Sequence, residues 1–307
     1  VTVTRQMMAR VQLMDIVFFG YLLVIIGLLA MFGKNRVNAG LHIAMHAGFL
    51  ALAIVILVLN GRRPGRFLFF CRTWYVPFFY VFIFEELGQI IHLVQPQLFD
   101  WWVMDVEAWV FGGYPVKWLQ HLANPWLTET MALFYMSYYF LIPALGLPLY
   151  FEREWDKVND LVLTTAVTFF FCFLHYLFMP VAGPIFIPGD LPFELFSLAA
   201  GPGTTLEQWV FSKGAIRGAA FPSSHVAVAV AVLVLAVKYR RGRWVFAILV
   251  IGLAISTVYN GYHYGVDVIY GVLVGLVFAL VCPYLNRVWN RARDESQRSG
   301  SGVGRNA

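Results

Sequence analysis

Charge is scarce in this sequence of 307 residues: Asp, Glu, Lys and Arg together make up 13% of it. Soluble domains carry about a quarter, so a water-soluble globule is excluded. Cysteine is scarcer still. Cys71, Cys172 and Cys282 stand far apart, each in or beside an apolar run, which leaves no disulfide framework and no Cys-x-x-Cys metal site. No Gly-x-Ser-x-Gly elbow is present, so a serine hydrolase of that type lacks its nucleophile turn. No arginine-rich arm interleaved with aromatics offers a nucleic-acid surface, and no nucleic-acid partner is expected. The net charge of +5 bears instead on orientation in a membrane.

What fills the chain is hydrophobic: 60% of residues are apolar and 17% aromatic, with a mean hydropathy of +0.70. A bilayer-spanning helix needs roughly 20 apolar residues. Eight runs approach that length, near 14–33, 41–59, 69–93, 127–150, 159–180, 222–238, 244–260 and 264–284. The expected fold is all-α: a polytopic integral membrane protein with about eight transmembrane helices. Two helices within residues 1–66 precede a membrane core at 67–290. The polar, glycine-rich stretch 291–307 (RARDESQRSGSGVGRNA) is expected to be a disordered cytoplasmic tail. Arg5 and Arg10 precede the first run with no small-residue cleavage site after it, so that run reads as a retained helix.

The basic residues orient the bundle. With the N-terminus in the cytoplasm, 17 of the 22 Lys and Arg fall inside, and Lys34, Arg36, Lys117, Lys213 and Arg217 fall outside. Both termini are then cytoplasmic, in a bacterial-type inner or plasma membrane. The start of the sixth run and the GYHYGVD turn share the outer face. Two long outer segments remain. Residues 94–126, with DWWVMDVEAWVFGGYPVKW, suit a helix lying in the interface, and 99–118 is expected to gate or line a lipid entrance. Residues 181–221 are rich in Gly and Pro and lead into Phe-Pro-Ser-Ser-His.

The chemistry-bearing residues stand at the mouths of helices. The stretch AAFPSSHVAVAV at 219–230 puts His225 directly before an apolar run. His263 and Asp267 are four apart, hence on one helical face. A carboxylate there can fix one imidazole tautomer and free the other nitrogen to attack. His225, from another helix on the same membrane face, can serve as a general acid. Each feature alone also fits a bland account, an interfacial histidine or a structural hydrogen bond. The combination is specific.

Pro222, Ser223, Ser224 and His225, together with Ser256, Thr257, His263 and Asp267, resemble the second and third motifs of the phosphatidic acid phosphatase type 2 superfamily. The resemblance implies a six-helix core and a mechanism without metal or cofactor. In it His263 attacks phosphorus, Asp267 orients and stabilises it, and His225 protonates the leaving oxygen. The family's first motif, Lys-x6-Arg-Pro, is absent, and Thr257 stands where the third motif has arginine. RTWYVPFFYVF at 72–82, DVEAWVFGGYPVKWLQ, MPVAGP at 179–184 and HYGVDVIYG resemble the inositol phosphorylceramide synthase-like branch. That likeness implies a lipid phosphatase or phosphotransferase acting at the outer face on a membrane lipid with a phosphate headgroup. Water or a lipid hydroxyl is the acceptor.

The missing cations need replacements. Arg217 and Lys213, just upstream of His225, are the first candidates. Ser223, Ser224 and Ser256 are candidate substrate-binding residues, as are the free N–H groups of the sixth helix. Gly183 and Pro184 are candidates for a neighbouring backbone cradle. Glu85 and Glu86 lie at membrane depth, where either can pair with Arg217 or line a headgroup pocket. Tyr135, Tyr138 and Tyr139 can donate to a headgroup or simply pack. Two rival classes stay open: a lipid transporter or scramblase without catalysis, and a haem-binding electron-transfer protein using pairs such as His42 and His46.

Overall fold

The computed structural model describes residues 11–34, 37–63, 65–187 and 201–302, and among them the chain is all-α, with twelve α-helices. Arg5, Arg10, Arg36 and Arg305, part of the charge asymmetry, lie outside the described residues. Five helices are long and apolar enough to cross a bilayer: α1 (Leu13–Phe32), α2 (Ala39–Arg62), α3 (Arg66–Ile90), α8 (Trp155–Phe178) and α12 (Gly265–Gly302, apolar through its first part). The chain is therefore a polytopic membrane protein. Helices α6 (Pro125–Met136) and α7 (Tyr138–Phe151), joined by a 43° bend at Ser137, are together long and apolar enough to count as a sixth candidate span.

The two remaining apolar runs become shorter helices, α10 (Ser224–Lys238) with 15 residues and α11 (Arg243–Tyr259) with 17. At 1.5 Å per residue they reach about 22 and 26 Å, short of a hydrocarbon core of about 30 Å. The start of α10, which carries His225, and the end of α11, which leads into the turn with His263, lie at the same end of the bundle. Three further helices cap that end: α4 (Asp100–Phe111), α5 (Pro115–Gln120) and α9 (Pro202–Gly214).

Helix α8 is the hub, touching α1, α3, α7, α10 and α12. Of its most apolar stretch 72% is buried, against 17% for the peripheral α2. Rings interlock α1, α3 and α8: Phe18 stacks on Phe79 at 5.3 Å and Tyr21 on Phe170 at 4.2 Å. Helices α10 and α12 approach most closely. A Cβ on Gly275 would sit 2.3 Å from the Ala227 carbonyl oxygen, and one on Gly271 2.7 Å from that of Ser223. This Gly-x-x-x-Gly seam lets two backbones touch where lipid supplies no hydrophobic drive.

Buried ionisable groups are paired, as low dielectric demands. Asp15 on α1 accepts from Arg72 and from the Tyr75 hydroxyl, both at 2.5 Å. Glu86 lies 2.9 Å from His42 Nδ1 and 3.2 Å from His46 Nδ1. Glu86 therefore binds α2 to α3 and does not meet Arg217, and the His42–His46 pair serves that contact. At the far end, Asp160 accepts from Tyr239 at 2.9 Å and from Asn286 at 2.8 Å.

The expected disordered tail is corrected in part. Helix α12 continues past Arg291 to Gly302. Arg291, Ala292, Arg293 and Glu295 are strong helix formers, and Arg293 donates to the Val11 carbonyl at 3.1 Å. Residues 303–307 lie outside the described part.

Candidate active site

The frame of the site is backbone. Val181 N–H donates to the Gly218 carbonyl at 3.1 Å, and Ala220 N–H donates to the Val181 carbonyl at 2.9 Å. This short pairing fixes the Ala220 carbonyl. The Tyr176 hydroxyl donates to the Pro222 carbonyl at 2.8 Å and accepts from Ser224 N–H at 3.2 Å. Ser223 N–H reaches the Asp267 carbonyl at 3.1 Å, tying the start of α10 to the first turn of α12. On the other side, the Thr257 carbonyl accepts from Tyr262 N–H at 3.0 Å and from His263 N–H at 3.1 Å, closing the turn that carries His263.

The two histidines meet with ring centroids 5.7 Å apart, edge to face. Their partners differ in kind. His263 Nδ1 lies 2.8 Å from the Ala220 carbonyl oxygen. A carbonyl only accepts, so Nδ1 carries the proton and Nε2 keeps its lone pair. Burial, reinforced by the neighbouring His225, pushes His263 down to about 3, so the ring is neutral. His225 Nε2 lies 3.1 Å from the Tyr135 hydroxyl, a group able to donate or accept. Asp267 Oδ2 stands 3.6 Å from His263 Nδ1, outside hydrogen-bond distance, and accepts from Tyr264 N–H at 2.7 Å. The primary holder of the His263 ring is thus Ala220, with the buried Asp267 carboxylate adjacent.

Two more carboxylates pin the loops, and both come from α4. Asp100 accepts from Ala182 N–H at 2.9 Å and Gly183 N–H at 3.0 Å. Glu107 accepts from Gly265 N–H at 3.0 Å and Val266 N–H at 2.9 Å, two residues past His263. Trp101 and Trp109 on the same helix point outward, at 63% and 84% exposure. So α4 holds the site from behind, and no residue of 99–118 is part of the cavity wall, which corrects the expectation that this segment lines it. Of the cradle expected at Gly183 and Pro184, Pro184 has no N–H to give, and the Gly183 N–H, with that of Ala182, is already taken by Asp100. Gly183 has φ +92°, and a Cβ there would lie 2.5 Å from the Tyr262 carbonyl oxygen.

A further carboxylate, Glu207 on α9, accepts from Asn260 Nδ2 at 2.6 Å and fastens α9 over the His263 turn. Burial pushes its carboxyl from the ordinary 4.5 up to about 7. In that window the folded chain holds a proton the unfolded chain has lost, so Glu207 makes stability fall as pH rises from about 4.5 to about 7. Glu207→Gln is expected to flatten that part of the Tm-against-pH curve in detergent. An unchanged slope in the variant would refute the assignment.

The histidines form the floor of a cavity of about 480 Å³. Its walls come from α3, α6, α7, α8 and α9 and are mainly aromatic: Tyr80, Phe84, Tyr135, Tyr138, Tyr139, Phe169, Phe173, Trp209, Phe211 and Tyr262. Helices α3 and α7 meet at the end away from the histidines, where Trp74 fills the space left by Gly146 and packs on Tyr150. Nearer the histidines, Pro77, Val81 and Glu85 on α3 line the cavity with Tyr139, Ile142 and Pro143 on α7. Val81 is 64% exposed and Tyr139 47%, so the cavity lining reaches the surface between these helices, as it also does at Trp209 on α9, 62% exposed.

The structure sorts the remaining candidates. Ser224, Lys213, His225 and His263 line the cavity. Arg217 is exposed and does not line it. Ser223 caps α10, accepting from Val226 N–H at 3.3 Å. With Ser224 N–H already on Tyr176, that leaves fewer helix donors for a ligand than expected. Ser256 is fully buried and turns back onto the Leu253 carbonyl at 2.8 Å, while Thr257 bonds the Ala254 carbonyl at 2.9 Å. Glu85 and Lys213 are the Asp, Glu, Lys or Arg side chains of the lining. Among the described residues, no group of three or more His, Cys, Asp or Glu side chains is arranged to hold a metal ion.

The sequence reading missed Ala220, whose part is played by a carbonyl and leaves no trace in residue type. It also missed Asp100 and Glu107. Their spacing of seven, which puts both on one helical face, was a usable signal. Compared with known proteins, residues 101–281 match a family model described as the PAP2 superfamily. That is more than half of the chain and includes His225, His263 and Asp267. No curated protein and no solved structure matches.

Proposed function

The chain belongs to the PAP2 superfamily, and on that premise we propose that it is a membrane enzyme transferring a phosphoryl or substituted phosphoryl group from a lipid phosphoester. His263 is the nucleophile, forming a phosphohistidine. His225 supplies the proton for the leaving oxygen. Asp267 stabilises the positive charge that grows on His263 during attack. The observation that carries this reading is the unequal partnering of the two rings. A carbonyl fixes the proton of His263 on Nδ1 and frees Nε2, whereas a hydroxyl faces His225. An attacking base needs the first arrangement and a proton carrier the second.

Lipid as substrate is supported by the apolar cavity walls and by a lining that reaches the surface between α3 and α7. The charge of the cavity favours a diester. A phosphomonoester carries about −1.5 to −2 at neutral pH and a diester about −1, while in the lining the Lys213 cation stands with the Glu85 carboxylate and the proton on His225 is the one further positive charge. Transfer of a substituted phosphoryl group between lipids, as in the inositol phosphorylceramide synthase-like branch, fits this better than monoester hydrolysis. The excess of Lys and Arg in one set of loops supports an outer-facing site with both termini cytoplasmic.

Lys213→Ala is expected to lower kcat/KM by roughly 10- to 100-fold, the loss of one charge-assisted contact. Arg217→Ala should stay within about threefold. Steady-state kinetics on one lipid diester decides this, and the reverse ranking would move the phosphate to Arg217.

The function itself is tested with protein purified in detergent with chelator. It is given lipid phosphomonoesters and phosphodiesters, with and without lipid alcohols, and products are separated on thin-layer plates. Headgroup transfer to the alcohol supports the synthase-like reading, and release to water supports a phosphatase. Absence of both reactions, with no labelled histidine, would overturn the enzyme and return the chain to a lipid-transport reading.

A further inference from the structure

His225 lines the cavity beside His263, and its two nitrogens differ in their partners. Its Nδ1 is buried and has no hydrogen-bond partner among the described residues. Its Nε2 faces the hydroxyl of Tyr135 at 3.1 Å. The ring is also hemmed in by Tyr138, with centroids 4.5 Å apart, and by Tyr135 itself at 5.2 Å. Tyr135 in turn lines the cavity and packs against Tyr262 at 4.8 Å. The Tyr135 oxygen is thus within hydrogen-bond reach of the His225 Nε2 proton and on the cavity wall at once.

We infer that Tyr135 is a catalytic residue that relays the proton between His225 and the substrate oxygen. The inference rests on the reading of His263 as nucleophile and His225 as proton source. A hydroxyl suits the task because it accepts and donates at once. A carbonyl in its place, such as the one that holds His263, could not pass a proton on.

The step balances. The lone pair on His263 Nε2 forms the N–P bond as the P–O bond to the leaving group breaks. The departing oxygen takes the Tyr135 hydroxyl proton, while the Tyr135 oxygen takes the proton from His225 Nε2, and the imidazolium becomes neutral. In the second half the acceptor hydroxyl gives its proton to Tyr135, whose own proton returns to His225. The acceptor oxygen bonds phosphorus and the P–N bond breaks, returning its electron pair to His263. Tyr135 ends each half as it began.

The test compares two diesters with the same lipid phosphate half, one with an alkyl leaving group and one with a 4-nitrophenyl group, which departs without a proton. Tyr135→Phe should lower the alkyl-to-aryl ratio of kcat about 100-fold, the low end of what general acid catalysis contributes. His225→Ala should move the ratio the same way. An equal fall on both substrates, or no fall, would make Tyr135 structural and overturn the relay. A second measurement needs no variant: the wild-type rate on the alkyl ester, taken across mixtures of light and heavy water, should show two protons in flight. A single-proton dependence would refute the relay. If His263→Ala retains activity, the nucleophile assignment fails instead, a different result from either of these.

Discussion

His263→Ala is expected to cut turnover of the lipid substrate by at least about 10⁴-fold, as removal of an enzymatic nucleophile does. The loss should be in kcat, and no leaving group should rescue it. With substrate labelled at phosphorus, the wild-type chain should carry an acid-labile, base-stable label after quenching, and the variant none. His225→Ala should slow the reaction by about 10²–10⁴-fold and still take up label. The physical basis is the single lone pair on Nε2, freed because the Ala220 carbonyl claims the Nδ1 proton. A labelled His263→Ala chain, or one of near wild-type rate, would remove the proposed mechanism at its root.

Glu107→Ala should be the most damaging change outside the histidines. Glu107 is fully buried and satisfies two backbone N–H groups at the start of α12. Burial raises its carboxyl and the two N–H bonds pull it back down. Truncation leaves both donors dry, at about 1–3 kcal/mol each, and frees the turn that holds His263. Thermal unfolding in detergent should show a Tm lower by several degrees, and activity should fall at least tenfold even where the variant is folded. Glu107→Gln, which keeps one acceptor, should lie between. If Glu107→Ala matches the wild type in both measurements, α4 is only a surface helix.

Much of the fold was legible in the runs of apolar residues. All eight became helices, because a helix is the one way for a lone segment to satisfy its backbone in lipid. Their lengths were largely legible too. The runs near 222–238 and 244–260 are the shortest of the eight, and α10 and α11 are short in turn, with the residues flanking them drawn into the histidine site. The reading of 291–307 as a disordered tail was set by its polarity and glycines, and it overlooked the helix formers that carry α12 to Gly302.

In the candidate site the division is sharper. Two motifs in separate parts of the chain named His225, His263 and Asp267, and the fold brings the rings to 5.7 Å. The motifs could do this because they mark helix mouths, although His263 stands in the turn before α12 and not on one helical face with Asp267. They could not say who holds each ring. The Asp267 carboxylate was the expected holder of His263, and the Ala220 carbonyl takes that place from 43 residues away.

The sequence by itself determined that this chain lives in a membrane, is helical, and carries two histidines and an aspartate where helices begin. Those properties depend on residue type and on spacing within one segment. Only the tertiary structure decided that Arg217 is exposed and off the cavity lining while Lys213 lines it, that Glu86 belongs to His42 and His46, that Asp100 and Glu107 point inward, and that Tyr135 stands before His225. Each of these is a meeting of side chains or backbone groups far apart in the chain. Their pairing is set by which helices α8 gathers around itself and by the Gly271–Gly275 seam that draws α12 onto α10.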